Sequence, residues 1–176
     1  MRDPSTYNSI IQAIALGATK LSEISNQVGI ETGLCTTYIK KLISLGIIIK
    51  DTPIYKPSKK QTIYLLADHM FQFWYKFVLP NISLINMGMG DRVYKKIEPH
   101  FYEFMGYIFE DICKQYLWLL NIHEELPLFF LKLGRWWGND TRIKAEAEID
   151  IVAYNDENQI LIGECKWRNE DTIKRF

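Results

Sequence analysis

Asp150, Glu164 and Lys166 stand in the stretch EIDIVAYNDENQILIGECKW, residues 148–167. It reads as an acid on one apolar strand, a polar turn, then acid-any-Lys on a second apolar strand. Alternate residues of a strand share a face, so Glu164 and Lys166 are expected to point one way and Cys165 the other. If the two strands pair as a hairpin, Asp150 approaches Glu164. Two neighbouring carboxylates in an apolar setting repel each other, and a divalent cation is the usual remedy; Mg2+ suits an all-oxygen site completed by water and a substrate phosphate. Such an ion lowers the pKa of a bound water and neutralises charge developing on the phosphate, and Lys166 can position the water or stabilise the same charge. The chemistry specified is metal-dependent phosphodiester hydrolysis, with Asp150 and Glu164 as metal ligands. Glu110, on a helix before the sheet, is a further candidate as an outer ligand. Glu148, two residues before Asp150 on the same face, competes with it, and so does Glu146. The plainer alternative is a solvated polar stripe of cross-strand salt bridges, with Glu110 in a surface ion pair to Lys114.

These residues need a helix and a sheet to hold them. Pro99 suits the first turn of a helix continued by Phe101, Met105, Ile108, Ile112 and Leu119 at spacings of three or four, with one longer gap. LPLFFLKLGRWWG then predicts a strand over about 126–137, followed by the polar turn NDTR. Two more strands are expected over 145–154 and 159–167, separated by the turn-forming NDEN. Arg135, Trp136 and Trp137 admit either base stacking with a cation for phosphate or core packing at the sheet edge.

The N-terminal part has a different pattern. Tyr7, Ile10, Ile11 and Ile14 predict a first helix ending near Gly17. Thr19 is the expected N-cap of a second helix carrying Leu21, Ile24 and Val28 and closed by Gly29. A third helix, 32–45, is expected to align Leu34, Tyr38, Leu42 and Leu45. IIIKDTPIYKPSKKQTIYLL predicts two strands around a Pro- and Lys-rich tip. Three helices and a hairpin form the winged variant of the helix-turn-helix, which LSEISNQVGIETGLCTTYIKKLISLGII resembles in spacing. On that reading Thr36, Thr37, Lys40 and Lys41 face a major groove, while Lys56, Lys59 and Lys60 neutralise flanking phosphates. The alternative is a protein-docking module with a solvated lysine face. Asp68 opens an aromatic helix in which Phe71, Trp74, Tyr75 and Val78 form one stripe and Phe73 and Phe77 lie elsewhere; Gly88 and Gly90 mark a flexible stretch after it.

The formal net charge is zero, so the total balance calls for neither nucleic acid nor an anionic membrane. Residues 1–60 nevertheless carry eight Lys/Arg against four Asp/Glu, a local +4 balanced by −4 in the remainder, which makes the N-terminal part the better phosphate binder. Three scattered cysteines form no CxxC pair and are read as small buried hydrophobes, and the three histidines have no metal-ligand spacing. With no signal-like start and no apolar run long enough to span a bilayer, the expectation is a cytoplasmic protein away from the membrane. Neither GxxxxGKS/T nor GxGxxG occurs, so no nucleotide site is visible.

The ordered set of Glu110 in GYIFEDICKQY, Asp150 in EIDIVAY, and Glu164 with Lys166 in GECKW resembles the PD-(D/E)xK superfamily of restriction-like endonucleases. Adding DPSTYNSIIQAIALGATKLSEI, FQFWYKFVLPN and GRWWG, nearly the whole chain resembles the C-terminal half of a family of archaeal ATPases. That family places a P-loop ATPase domain first, then a winged helix, then a nuclease-like domain. The resemblance implies an α+β chain with a winged helix over 1–66, an aromatic linker helix region over 67–95 and a restriction-endonuclease-like domain over 96–176. It implies DNA as partner and an ATPase domain or chain as a second one. The superfamily core continues through a helix and a further strand after ExK, so the sheet ending near Phe176 is expected to leave an edge that a second copy or another segment would cap. The competing readings are a non-catalytic DNA-binding regulator and a protein-docking module of an ATPase.

Overall fold

The structure, a computed structural model, describes residues 3–140 and 144–168, with Lys59 and Asp140 described in backbone only. It is mixed helix and antiparallel strand, divided into one unit of residues 1–52 with 57–97 and another of residues 53–56 with 98–176.

In the first unit, α1 (Pro4–Ala15) starts where the Asp3 carboxylate accepts the amides of Ser5 and Thr6 at 3.1 and 3.4 Å, together with both hydroxyls. For α2 (Leu21–Val28) the expected cap at Thr19 gives way to Lys20. Glu23 reaches back to accept the amides of both Thr19 and Lys20 at 3.0 Å, so the carboxylate supplies the cap. Gly29 closes the helix at φ +74°, a left-handed conformation that glycine adopts without cost.

The buried stripe of α3 (Thr32–Ser44) is rotated from the expected face. Cys35, Ile39 and Leu42 are buried, whereas Leu34 and Leu45 are exposed. Cys35 is fully buried in the core and acts there as a small hydrophobe. The strands β1 (Ile48–Asp51) and β2 (Ile63–Leu66) pair antiparallel with Ile48 opposite Leu66. Ile10, Ile14, Ile24, Ile39, Ile48 and Leu66 close one core across all five elements.

The aromatic segment is broken rather than continuous. Asp68 caps α4 (His69–Phe73) through the amides of Met70 and Phe71. A wide turn over Trp74–Val78, a short turn over Leu79–Asn81 and then α5 (Ile82–Asn86) follow. The widened turn shifts the helical register, so Phe77 is the buried ring while Phe71 and Trp74 stay exposed. A helix absent from the sequence expectation, α6 (Gly90–Ile97), begins directly after the turn at Gly88. Buried Asn81 joins these pieces, donating to the Phe77 carbonyl at 2.8 Å and accepting from Lys96 at 3.1 Å.

In the second unit, a single turn over Glu98–His100 leads into α7 (Phe101–Ile122). The sheet is an antiparallel meander of β3 (Lys132–Asp140), β4 (Ala145–Tyr154) and β5 (Ile160–Gly163) in that order. The first strand begins at 132 rather than 126 because Phe130 is held differently. Buried Asn121 accepts the Phe130 amide at 2.9 Å and donates to its carbonyl at 3.1 Å, taking both groups out of any ladder. Of the expected NDTR turn, residues 139 and 140 extend β3, and residues 141 and 142 lie outside the described residues. Asn155 makes the last turn by accepting the amides of Glu157 and Gln159 at 3.0 Å. The final strand stops at Gly163, four residues short of expectation, so Glu164 and Lys166 follow it rather than lie in it.

The 53–56 segment supports this sheet. Ile54 donates its amide to the Arg135 carbonyl at 2.9 Å and accepts from the Tyr154 hydroxyl at 3.2 Å. Its side chain fills the space over Gly134, where an added Cβ would meet it at 3.1 Å.

Replacing Asn121 with Ala should lower the stability of the second unit by about 2 kcal/mol, since two buried backbone groups lose their partners. A urea midpoint equal to wild type would contradict this. The Asp3 carboxyl is held down at about 2 by the hydroxyls of Ser5 and Thr6 and by backbone donors. Its stabilisation of α1 is therefore complete above its ordinary value of 3.8 and lost as pH falls through about 2. Wild type and Asp3→Ala should differ in thermal midpoint at pH 6 and converge near pH 2.

Candidate functional site

The candidate site is built on a slip in the sheet. Gly134 pairs with Val152 and Trp136 with Ile149, so Arg135 on β3 stands opposite both Ile151 and Asp150 on β4. The additional residue belongs to β4, and such a bulge turns a side chain away from simple alternation. Asp150 exerts the largest charge effect on Glu110 of α7, ahead of Arg135, Lys114 and Glu148. One nitrogen of Arg135, Nη1, lies 3.8 Å from Glu110 Oε2 and 3.7 Å from Glu148 Oε1. The guanidinium also sits 4.9 Å from the centre of the Trp137 ring. Arg135 and Glu110 are only 15% and 16% exposed, so each charge has lost most of its water. Burial, then the charge of Asp150, pushes the Glu110 carboxyl above the usual range despite Arg135 and Lys114.

Glu164 and Lys166 form a separate pair. Lys166 Nζ is 2.8 Å from Glu164 Oε1, and the Glu164 side chain is 71% exposed. The last rung of the β4–β5 ladder is Ile151 with Gly163, and Asp150 and Glu164 are the next residue on either strand. The group that reaches Asp150 is the Cys165 amide, which donates to Asp150 Oδ2 at 2.8 Å. Asp150 is thus tied to the main chain between Glu164 and Lys166, while the Glu164 carboxylate turns to its own lysine. Among the described residues, no three His, Cys, Asp or Glu side chains form a group able to hold a metal ion. Lys114 bonds to Asp111 at 2.8 Å rather than to Glu110.

Burial, with the Cys113 thiol of α7 as neighbour, pushes the Cys165 thiol up to about 12. It stays protonated at neutral pH and is no nucleophile. Glu146 is exposed near the far end of β4, away from the bulge.

The basic candidates divide between the units. Lys40 and Lys41 are exposed on α3, and Lys60 is exposed before β2, all in the first unit. Thr36 and Thr37 donate to the carbonyls of Thr32 and Gly33 at 2.8 and 3.2 Å, a bond each would have to exchange in contacting a base. Lys56 belongs to the second unit and lies 5.2 Å over the Tyr55 ring. The side chain of Lys59 lies outside the described residues.

Sequence reasoning missed Arg135 as a counter-ion and Glu148 as its second partner. The signal to be found was a lone cation in GRWWG, which must find carboxylates if its strand is covered.

Residues 74–176, which include every residue of the acidic site, match the model of a family described as archaeal and bacterial proteins of unknown function, DUF234. The chain belongs to the DUF234 family. An uncharacterized protein of Methanocaldococcus jannaschii is 36% identical over 169 residues, or 95% of this chain and 37% of that protein. This DUF234 chain therefore spans little more than a third of that relative's length. No solved structure matches it. No helix among its described residues is long and apolar enough to cross a membrane.

Because the folded state raises the Glu110 pKa, the ionised form costs stability. The protein is favoured below the ordinary value of 4.5 and loses that advantage as pH rises through the folded value. Glu110→Gln should therefore raise the thermal midpoint relative to wild type at pH 8 and by less at pH 4. A difference that grows on acidification would show that the ion pair with Arg135 outweighs burial.

Proposed function

We propose that this DUF234 chain is a DNA-binding protein with a nuclease-like domain of the PD-(D/E)xK type, directed at Mg2+-dependent phosphodiester hydrolysis. The observation that carries it is the order of elements and acids: Glu110 on α7, then β3, then Asp150 on β4, then β5 leading directly into Glu164 and Lys166. The bond from the Cys165 amide to Asp150 supports it, because it fixes the ExK segment against the strand bearing the first acid. The winged-helix assignment draws support from three helices followed by an antiparallel pair of strands and from exposed Lys40 and Lys41 on the third helix. An ATPase domain or chain as partner belongs to the proposal through the sequence resemblance, and the M. jannaschii relative is long enough to hold a further domain.

The donor chemistry of the site suits Mg2+, since Glu110, Glu148 and Asp150 offer hard carboxylate oxygens. Bound there, the ion would supply an acidified water and neutralise charge on a phosphate. The arrangement does not fit it as folded: the described acids form no three-ligand group, and Arg135 already supplies positive charge to two of them. That observation favours a second reading, a non-catalytic DNA-binding regulator or docking module of an ATPase.

The catalytic reading expects cleavage of single- or double-stranded DNA that needs Mg2+ and stops with EDTA, with Asp150→Ala and Lys166→Ala each slower by on the order of 100-fold. Intact DNA after incubation of wild type with Mg2+ would remove catalysis and leave the second reading. DNA binding itself should weaken in Lys40→Ala and Lys41→Ala, with the salt slope falling by about 1 for each phosphate no longer neutralised. Unchanged slopes would place the DNA-binding surface elsewhere.

A further inference from the structure

We infer that the exposed face of α3 reads thymine, through apolar contact of Leu34 and the Thr37 methyl with 5-methyl groups in a major groove. This deepens the proposed DNA-binding reading of the first unit and rests on it. The buried side of the helix is set by Cys35, Ile39 and Leu42. On the side away from them, Leu34, Thr37 and Lys41 follow at spacings of three and four residues, so they lie one above the next along one face. Leu34 has nothing polar to offer water, yet its side chain is 48% exposed. Exposed Thr37 adds a second apolar group: its hydroxyl donates inward to the Gly33 carbonyl at 3.2 Å, which leaves the methyl as the part presented outward. Gly33 keeps the backbone bare beside them. A Cβ there would meet only Glu31 Oε1, at 3.9 Å, so another surface can come close.

The chemistry of this face selects its partner. The helix, TGLCTTYIKKLIS, contains no Arg, Asn or Gln, whose planar heads read guanine and adenine edges by paired hydrogen bonds. Among the groups that base pairs display in the major groove, the thymine 5-methyl is the apolar one. Leu34 and the Thr37 methyl match it, and the contact removes apolar surface from water on both sides. Charge sets the orientation. Glu31, at the N-cap, puts a carboxylate beside Gly33 and disfavours a phosphate at that end. Exposed Lys40 and Lys41, one turn beyond Thr37, supply positive charge for the phosphate backbone. Residues 1–60 carry eight Lys/Arg against four Asp/Glu, so the complementary partner is a polyanion rather than a neutral apolar surface. The start of α3 thus meets base edges and its middle meets phosphates. Methyl contacts read the sequence, and the lysines supply affinity.

The probes are two end-labelled duplexes, alternating dA-dT and alternating dA-dU, which differ only in the thymine methyl. Binding to the full chain is followed by fluorescence anisotropy over a range of salt. Wild type should bind the thymine duplex at least about fourfold more tightly, the equivalent of one buried methylene group. Leu34→Ala and Thr37→Ser remove only apolar atoms from exposed positions, so both variants should keep the wild-type circular dichroism. Each should bring the ratio of affinities toward one and leave the salt slope unchanged. Lys41→Ala should do the opposite, lowering the slope at an unchanged ratio. Equal affinity of wild type for the two duplexes overturns the inference, and so does a thymine preference that survives in both Leu34→Ala and Thr37→Ser. In either case a slope that still falls in Lys41→Ala leaves the DNA-binding reading standing. No binding of wild type to either duplex overturns that reading and this inference together, and turns the face toward an acidic protein surface instead.

Discussion

The ladder between β3 and β4 slips by one residue at Arg135, and the electrostatics of the second unit follow from that slip. A regular ladder would oppose each residue to one partner and keep strict alternation along β4. The added residue instead sets Arg135 against two β4 positions. It thereby brings Glu110 from a helix and Glu148 from a strand to one cation, with Asp150 of the bulge acting on Glu110. A half-buried carboxylate such as Glu110 is helped by such company. Its raised pKa shows that the compensation is incomplete, since desolvation and Asp150 still outweigh Arg135 and Lys114.

The slip matters only because α7 lies where it does, and Asn121 near the end of that helix decides this. By taking both backbone groups of Phe130, it fixes the path from α7 into β3, with the Phe130 side chain fully buried and its ring against Trp118. The acidic site is therefore supported at a distance by an amide that touches none of its members. The first unit uses similar local devices: carboxylates of Asp3, Glu23 and Asp68 satisfy helix amides, and left-handed Gly29 closes α2.

Much of the secondary structure was legible because its signals are local. The apolar spacing of α1, the turn at Asn155 and the two β-branched runs around a Pro- and Lys-rich tip each announce themselves within a few residues. The face of α3 was not, because counting leucines overlooks a cysteine that packs closer. The start of β3 was not, because LPLFFL is apolar throughout and its fate depends on Asn121, nine residues before Phe130. At the site, Glu110 and Asp150 were visible from their order. The partnership of Arg135 with Glu148 was hidden, because a bulge is a property of two paired strands and alternation assumes none. Glu164 and Lys166 were expected on a strand, and the early stop at Gly163 changes what their spacing means: they pair with each other in a segment free of the ladder.

The family match and the folding units do not share a boundary. The DUF234 match begins at residue 74, yet the second unit includes residues 53–56. Ile54 closes the space over Gly134, bonds the Arg135 carbonyl and receives the Tyr154 hydroxyl, so it supports the strand that carries the central cation. The polypeptide between β1 and β2 is thus a borrowed part of the sheet. A cut between residues 97 and 98 would separate two lengths of sequence without separating two complete folding units, for the C-terminal piece would lose Ile54, which packs over Gly134 and bonds the Arg135 carbonyl.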